Sequence, residues 1–215
     1  MTDPIDQAQT QASDSNDDYI AVAVPVHVKL ESRQSVVSLD EAEEILRRAT
    51  SIALGPCGCR KDAGRCDAPI DTCLALNRTD EELAGEWEGF APVTIERALE
   101  SLRLSHDAGL VHLAYRKPGR EITEFCSCCS CCCWMFQKLR ESAFGGELIA
   151  SGFVAEHDQA TCIGCGACVD RCHFDAWAAA RNGGKPTLDP ARCLGCGVCV
   201  PSCPAGAISF VARST

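Results

Sequence analysis

The pattern of apolar and polar positions predicts a chain that alternates helices and strands. A helix begins after Ser38, whose side chain can form a capping box with Glu41. Apolar residues then recur at helical spacing as far as Ala53. The pair Gly55 and Pro56 is expected to end this helix, immediately before the first cysteines of the chain.

The middle of the chain predicts a second helix followed by a hairpin. The helix covers residues 94–106, with Thr94 as its N-cap, and strands are predicted over 110–115 and 121–125. A further helix is predicted from Trp134 to Ala143. A helix followed by a hairpin is also typical of winged-helix proteins, which would suggest a redox-sensing DNA regulator.

The last part of the chain contains an internal repeat. Residues 158–178 align with residues 189–209 without a gap, and each half contains a C-x2-C-x2-C-x3-C motif. The short loop places three thiols around one inorganic cube, whereas the fourth cysteine enters a helix and reaches the other cube. The spacing therefore predicts two [4Fe–4S] clusters with crossed ligands: Cys162, Cys165, Cys168 and Cys203 for one cluster, and Cys193, Cys196, Cys199 and Cys172 for the other.

Zinc is the alternative for these eight cysteines. Zinc ribbons, however, use two cysteine pairs separated by a longer loop, so the repeated motif favours iron–sulfur clusters. Residues 153–212 resemble the bacterial dicluster ferredoxins, and this resemblance implies a pseudo-twofold fold of two hairpins and two short helices that transfers single electrons at low potential. The usual proline follows Cys203, but His173 follows Cys172, so the surroundings of the second cluster differ from the family pattern.

Ten further cysteines precede this repeat in two groups. The whole chain looks like a family of ferredoxin-type proteins of anaerobic metabolism that carry CxCR and CxCC-x-CCC segments. Three interpretations remain open: a third Fe–S cluster, a structural zinc site, or redox-active thiols. We expect the groups to meet in space and share a metal site, with one site per group as the rival. The candidate metal ligands are Cys57, Cys59, Cys66 and Cys73 in the first group and Cys126, Cys128, Cys129, Cys131, Cys132 and Cys133 in the second.

Composition restricts the setting in which the protein works. The chain has 215 residues, 18 cysteines and a formal net charge of −10. No apolar run reaches the roughly 20 residues that span a bilayer, and the N-terminus lacks the pattern of a secretory signal, so a cytoplasmic location is expected. The negative charge argues against nucleic-acid binding. Clustered cysteines in a reducing compartment indicate metal ligands rather than disulfides.

These observations together predict an α+β protein with three parts. Residues 1–18 form a disordered acidic tail, residues 19–152 a cysteine-rich α+β domain, and residues 153–215 the dicluster ferredoxin domain. The expected function is one-electron transfer between redox partner proteins. The alternatives are a subunit of an anaerobic oxidoreductase whose upstream cysteines hold a catalytic metal centre, and the redox-sensing regulator.

Overall fold

The computed structural model describes residues 33–116, 121–140 and 148–213. The predicted acidic tail, the predicted turn at 117–120 and the last residues of the helix predicted to reach Ala143 lie outside the described residues. Among the described residues, no helix combines the length and the apolar character needed to cross a membrane.

The described residues contain ten strands and six α-helices, joined by loops and one short 3-10 helix. The strands are β1 Arg33–Val37, β2 Ile52–Pro56, β3 Asp71–Leu76, β4 Ala91–Pro92, β5 Val111–Arg116, β6 Ile122–Cys128, β7 Phe153–His157, β8 Trp177–Ala178, β9 Thr187–Leu188 and β10 Ile208–Ala212. The helices are α1 Leu39–Arg48, α2 Gly58–Ala63, α3 Asp80–Glu86, α4 Ile95–Asp107, α5 Trp134–Arg140 and α6 Ala167–Arg171. The mixed content confirms the α+β class.

An antiparallel sheet in the order β1-β5-β6-β3-β2-β4 organises the upstream region. Helices α1 and α4 pack together on one face, where Leu46, Leu74, Leu102 and Phe125 are among the buried core residues. A second apolar cluster contains Val111, Leu113, Cys128 of β6 and Cys133 just before α5, together with residues of the C-terminal segment. The thiol-rich side of the sheet therefore adjoins the C-terminal segment.

Helix α1 confirms the predicted start but not the predicted end. Ser38 and Glu41 form the capping box, with the Glu41 backbone N–H donating to Ser38 Oγ at 3.2 Å. The helix stops at Arg48, and residues 52–56 form strand β2 instead of continuing it. The prediction of helix as far as Ala53 was wrong because β2 pairs with β3 and buries its apolar residues in the sheet, which outweighs local helix propensity.

Helix α4 and the following hairpin agree with the prediction. The Thr94 side chain accepts a hydrogen bond from the Arg97 backbone N–H, and the helix ends one residue after the predicted His106. Strands β5 and β6 pair with each other, and β1 and β3 flank them. The hairpin is therefore interior to the sheet rather than a projecting wing.

The C-terminal segment is built around two small two-stranded sheets. Strand β7 pairs with β10, and β8 pairs with β9. Helix α6 follows the first cysteine loop, whereas turns follow the second loop, where the resemblance implied another helix. The Ser151 backbone N–H donates to Leu194 O at 3.0 Å across the proposed domain boundary. The boundaries at 152 and 153 remain predictions.

Candidate functional site

The two cysteine motifs adopt the same backbone structure. Asp158 and Asp189, which are 31 residues apart, each accept a hydrogen bond from the backbone N–H two residues later, at 2.8 Å and 3.0 Å. The backbone N–H of Ala176 donates to Cys172 Sγ at 3.4 Å, and that of Ala207 donates to Cys203 Sγ at 3.3 Å. The sequence repeat is thus a structural repeat.

Glycines let both loops curl tightly around their cysteines. Gly164 and Gly195 have φ values of +75° and +71°, and Gly166 and Gly197 both have φ +79°. Side chains other than glycine rarely adopt this backbone conformation. The Gly164 N–H also donates to Cys162 Sγ at 3.4 Å. The glycines and cysteines of the motif therefore form one structural unit.

Two small cavities lie between the motifs. Each is lined by three cysteines of one motif and the fourth cysteine of the other. The first cavity contains Cys162, Cys165, Cys168 and Cys203. The second cavity contains Cys172, Cys193, Cys196 and Cys199. The structure brings the eight cysteines together in the crossed sets that the sequence predicts.

Residues 161–207 match the protein-family model described as a 4Fe-4S dicluster domain. The C-terminal segment is a ferredoxin-type domain. The match covers less than a quarter of the chain and includes all eight cysteines of the repeat. No curated protein matches the chain.

The residues of the ferredoxin-type domain fit [4Fe–4S] clusters. Four thiols per cavity supply one ligand for each iron of a cube, and backbone N–H groups already point at the sulfurs. The remaining lining is mainly apolar, including Ile163 and Ile208 in the first cavity and Phe174 and Val198 in the second. Such a lining limits the access of water to a bound cluster.

The two cavities differ in exposure. Cys165 of the first cavity is exposed, and the neighbouring Ile163 side chain is 68% exposed. In the second cavity, Cys196 and Cys199 are buried, and burial raises the pKa of each thiol to about 12. Free thiols there keep their protons at neutral pH, so a bound metal must displace them. The first cavity is the more accessible one.

His173 connects the ferredoxin-type domain to the upstream region. Its Nε2 lies 2.7 Å from Gly109 O, and its Nδ1 lies 3.1 Å from Ser130 Oγ. A carbonyl can only accept, so Nε2 carries a proton. His173, which stands where the family pattern has proline, therefore contacts both the end of α4 and the second upstream cysteine segment.

The ten upstream cysteines divide into two thiol groups, and each group draws on both sequence segments. We call the first group the thiol tetrad. Its four Sγ atoms all lie within 4.8 Å of one another, and three of the separations are 3.8 Å, 3.8 Å and 3.7 Å. Its members are Cys66, Cys129, Cys131 and Cys132.

The other six cysteines form a closed ring of neighbouring thiols, which we call the six-thiol group. Hydrogen bonds from Cys128 and Cys59 lower the pKa of Cys133 to about 4. Four of the six side chains are buried. In order around the ring, the members are Cys57, Cys59, Cys133, Cys128, Cys126 and Cys73.

A buried arginine lies between these thiol groups. The Arg60 side chain is 1% exposed and donates to Ser127 O at 2.9 Å and to Thr72 Oγ1 at 3.1 Å. Its Nη2 is 3.8 Å from Cys129 Sγ. The sequence marks Arg60 only by its position beside Cys59, and its burial could not be read from that.

The arrangement agrees with the expectation that the two upstream segments meet. Cys66 of the first segment joins three cysteines of the second, and Cys73 contacts Cys126. The result is neither one common site nor one site per segment. Strand pairing causes the mixing, because β3 and β6 are neighbours in the sheet and carry Cys73 and Cys126.

Proposed function

We propose that this protein is an iron–sulfur electron carrier that passes single electrons between redox partner proteins. The main support for this proposal is the pair of four-cysteine cavities in a ferredoxin-type domain. A [4Fe–4S] cluster supplies one-electron redox chemistry when bound. Two such clusters per chain would be held by the crossed cysteine sets of the first and second cavities.

The protein's own residues provide binding, insulation and access. Backbone N–H groups stabilise negative charge on the cysteine sulfurs, and buried apolar side chains exclude water from the second cavity. The exposed Cys165 and Ile163 give partner proteins an approach to the first cavity. Such clustered thiols suit a reducing cytoplasm, which we propose as the location.

The six-thiol group is the proposed site of an additional Fe–S centre. Six ligands exceed the four that a single tetrahedral ion accepts, so the ring suits a centre with several metal atoms. Cys128 and Cys133 of the ring share one apolar cluster with Cys196 of the second cavity. This continuity supports an electron path from the ferredoxin-type domain into the upstream region.

Anaerobic reconstitution of the full chain tests the proposed function. Two cubanes predict at least about eight irons and a similar amount of sulfide per chain. Stepwise reduction should produce EPR signals of reduced [4Fe–4S] clusters, and a one-electron acceptor should remove them. Fewer than about four irons, with zinc bound in their place, would contradict the assignment.

The upstream Fe–S centre needs a separate control. Cys128→Ser should remove iron and sulfide beyond the first eight irons and leave the ferredoxin signals in place, since no cysteine of the cavities is changed. Cys199→Ser should instead remove up to about four irons and one ferredoxin signal, and leave the upstream iron in place. If the iron content of Cys128→Ser equals that of the wild type, the six-thiol group holds no iron.

A further inference from the structure

We propose that the thiol tetrad binds one zinc-class divalent ion in a closed tetrahedral site, separate from every iron–sulfur cluster. This site goes beyond the proposed electron transfer, because a four-thiolate zinc ion takes no part in redox chemistry. Its ligands would be Cys66, Cys129, Cys131 and Cys132.

The sulfur separations carry this inference. A regular tetrahedron of sulfurs, each about 2.3 Å from a central zinc ion, has edges of about 3.8 Å. The separations Cys66–Cys129 and Cys66–Cys132 are both 3.8 Å. The separation Cys131–Cys132 is 3.7 Å. The tetrad therefore already has the size of the coordination shell of one ion.

The same separations argue against a cube. In a [4Fe–4S] cluster each cysteine binds a different iron, so the cluster itself keeps the ligand sulfurs apart. Among the residues described, the tetrad is the one set of ligand-type side chains whose atoms all lie within 4.8 Å of each other. The cysteine sets of both ferredoxin cavities are more open than this.

The buried positive charge of Arg60 is an independent observation that favours negative charge at the tetrad. A buried guanidinium requires a counter-charge. Within the described part of the chain, no carboxylate forms a salt bridge with Arg60, and its Nη2 lies 3.8 Å from Cys129 Sγ of the tetrad. Neutral thiols could not balance the charge, whereas four thiolates around a divalent ion carry a net negative charge.

The ion would hold together two parts of the chain that are far apart in sequence. Cys66 lies in the segment between α2 and β3, which contains no regular structure, and the other three ligands follow β6. The Arg65 side chain already links the two parts by donating to Cys131 O at 3.3 Å. A metal at this position would contribute folding free energy to the segment.

Metal analysis of the full-length, anaerobically reconstituted protein tests the proposal, with Co²⁺ as the spectroscopic probe for the site. Wild type should retain one zinc per chain in addition to its iron, and Co²⁺ should replace it with the visible absorption of a tetrahedral thiolate complex. Cys131→Ser should lose that ion while its iron and sulfide contents stay unchanged.

Cys126→Ser, which changes the six-thiol group, is the matched control and should retain the ion. Loss of the ion in Cys126→Ser, or loss of a cluster's iron and sulfide in Cys131→Ser, would overturn the proposal. A failure of the electron-carrier function would instead appear as missing iron in the ferredoxin-type domain with the zinc content intact.

X-ray absorption at the zinc edge tests the same site without any variant. The account predicts four sulfur neighbours at about 2.3 Å and no nearby metal atom. A shell containing nitrogen or oxygen, or a wild-type protein that holds no zinc beside its full iron content, would contradict it.

Discussion

The cysteines of the ferredoxin-type domain and those of the upstream region are arranged in opposite ways. In the domain, three cysteines of one motif and one of the other surround each cavity, and no three of these ligand sulfurs all lie within 4.8 Å of one another. In the thiol tetrad of the upstream region the thiols touch, as in the Cys66–Cys129 contact of 3.8 Å. The contrast shows that the separation of four sulfurs distinguishes a site for a cube from a site for a single ion.

The two regions also gather their ligands in different ways. A short loop with glycines at positive φ brings three domain cysteines together, so sequence spacing predicts the set. In the upstream region, Cys66 and Cys129 are 63 positions apart and meet through the folding of the whole sheet.

The largest effect is expected when the cysteine that crosses to the other motif's cavity is replaced by serine. Cys203→Ser should abolish the same EPR signal as Cys165→Ser, because both side chains line the first cavity. Cys172→Ser should abolish the same signal as Cys196→Ser. Each change should cost up to about four irons, the content of one cube.

Ser202→Ala is the control for the crossed arrangement, since it changes a neighbouring side chain without removing a ligand. Both EPR signals should survive in it. If Cys203→Ser instead abolished the same EPR signal as Cys196→Ser, each motif would hold its own cluster. The crossed arrangement of ligands would then be wrong.

A smaller effect is expected from Arg60→Gln, which removes the buried charge beside the tetrad. We expect the tetrad to hold its ion about 10- to 100-fold more weakly, as measured by competition with a chelator. Arg65→Gln is the matched control, because the Arg65 side chain is exposed and donates to the backbone Cys131 O at 3.3 Å. Equal affinities in the two variants would show that the buried charge does not support the site.

The smallest effect is expected at the junction of the regions. His173→Ala removes the hydrogen bonds to Gly109 O and Ser130 Oγ and should lower the free energy of unfolding by about 1–2 kcal/mol. Ser130→Ala removes one of these bonds and should cost less. Denaturant unfolding under anaerobic conditions measures both, and an unchanged midpoint in His173→Ala would mean that the junction contributes nothing to stability.

Local signals in the sequence predicted much of this molecule. The Ser38 capping box, the Thr94 cap and the repeated cysteine spacing depend on neighbouring residues, and the structure contains all three features. Strand β2 was missed because its pairing with β3 decides its conformation. The division of the upstream cysteines could not be predicted, because it depends on which strands are neighbours in the sheet.

Mössbauer spectroscopy of the full chain, reconstituted with ⁵⁷Fe and zinc, distinguishes iron in [4Fe–4S] clusters from iron in a mononuclear thiolate site. The account predicts at least about eight irons per chain in [4Fe–4S] clusters, with spectra that change by one electron per cluster on reduction. It predicts no iron in a mononuclear thiolate site, because zinc occupies the tetrad. A spectrum dominated by mononuclear ferrous thiolate, or one that reduction leaves unchanged, would contradict the proposed electron carrier.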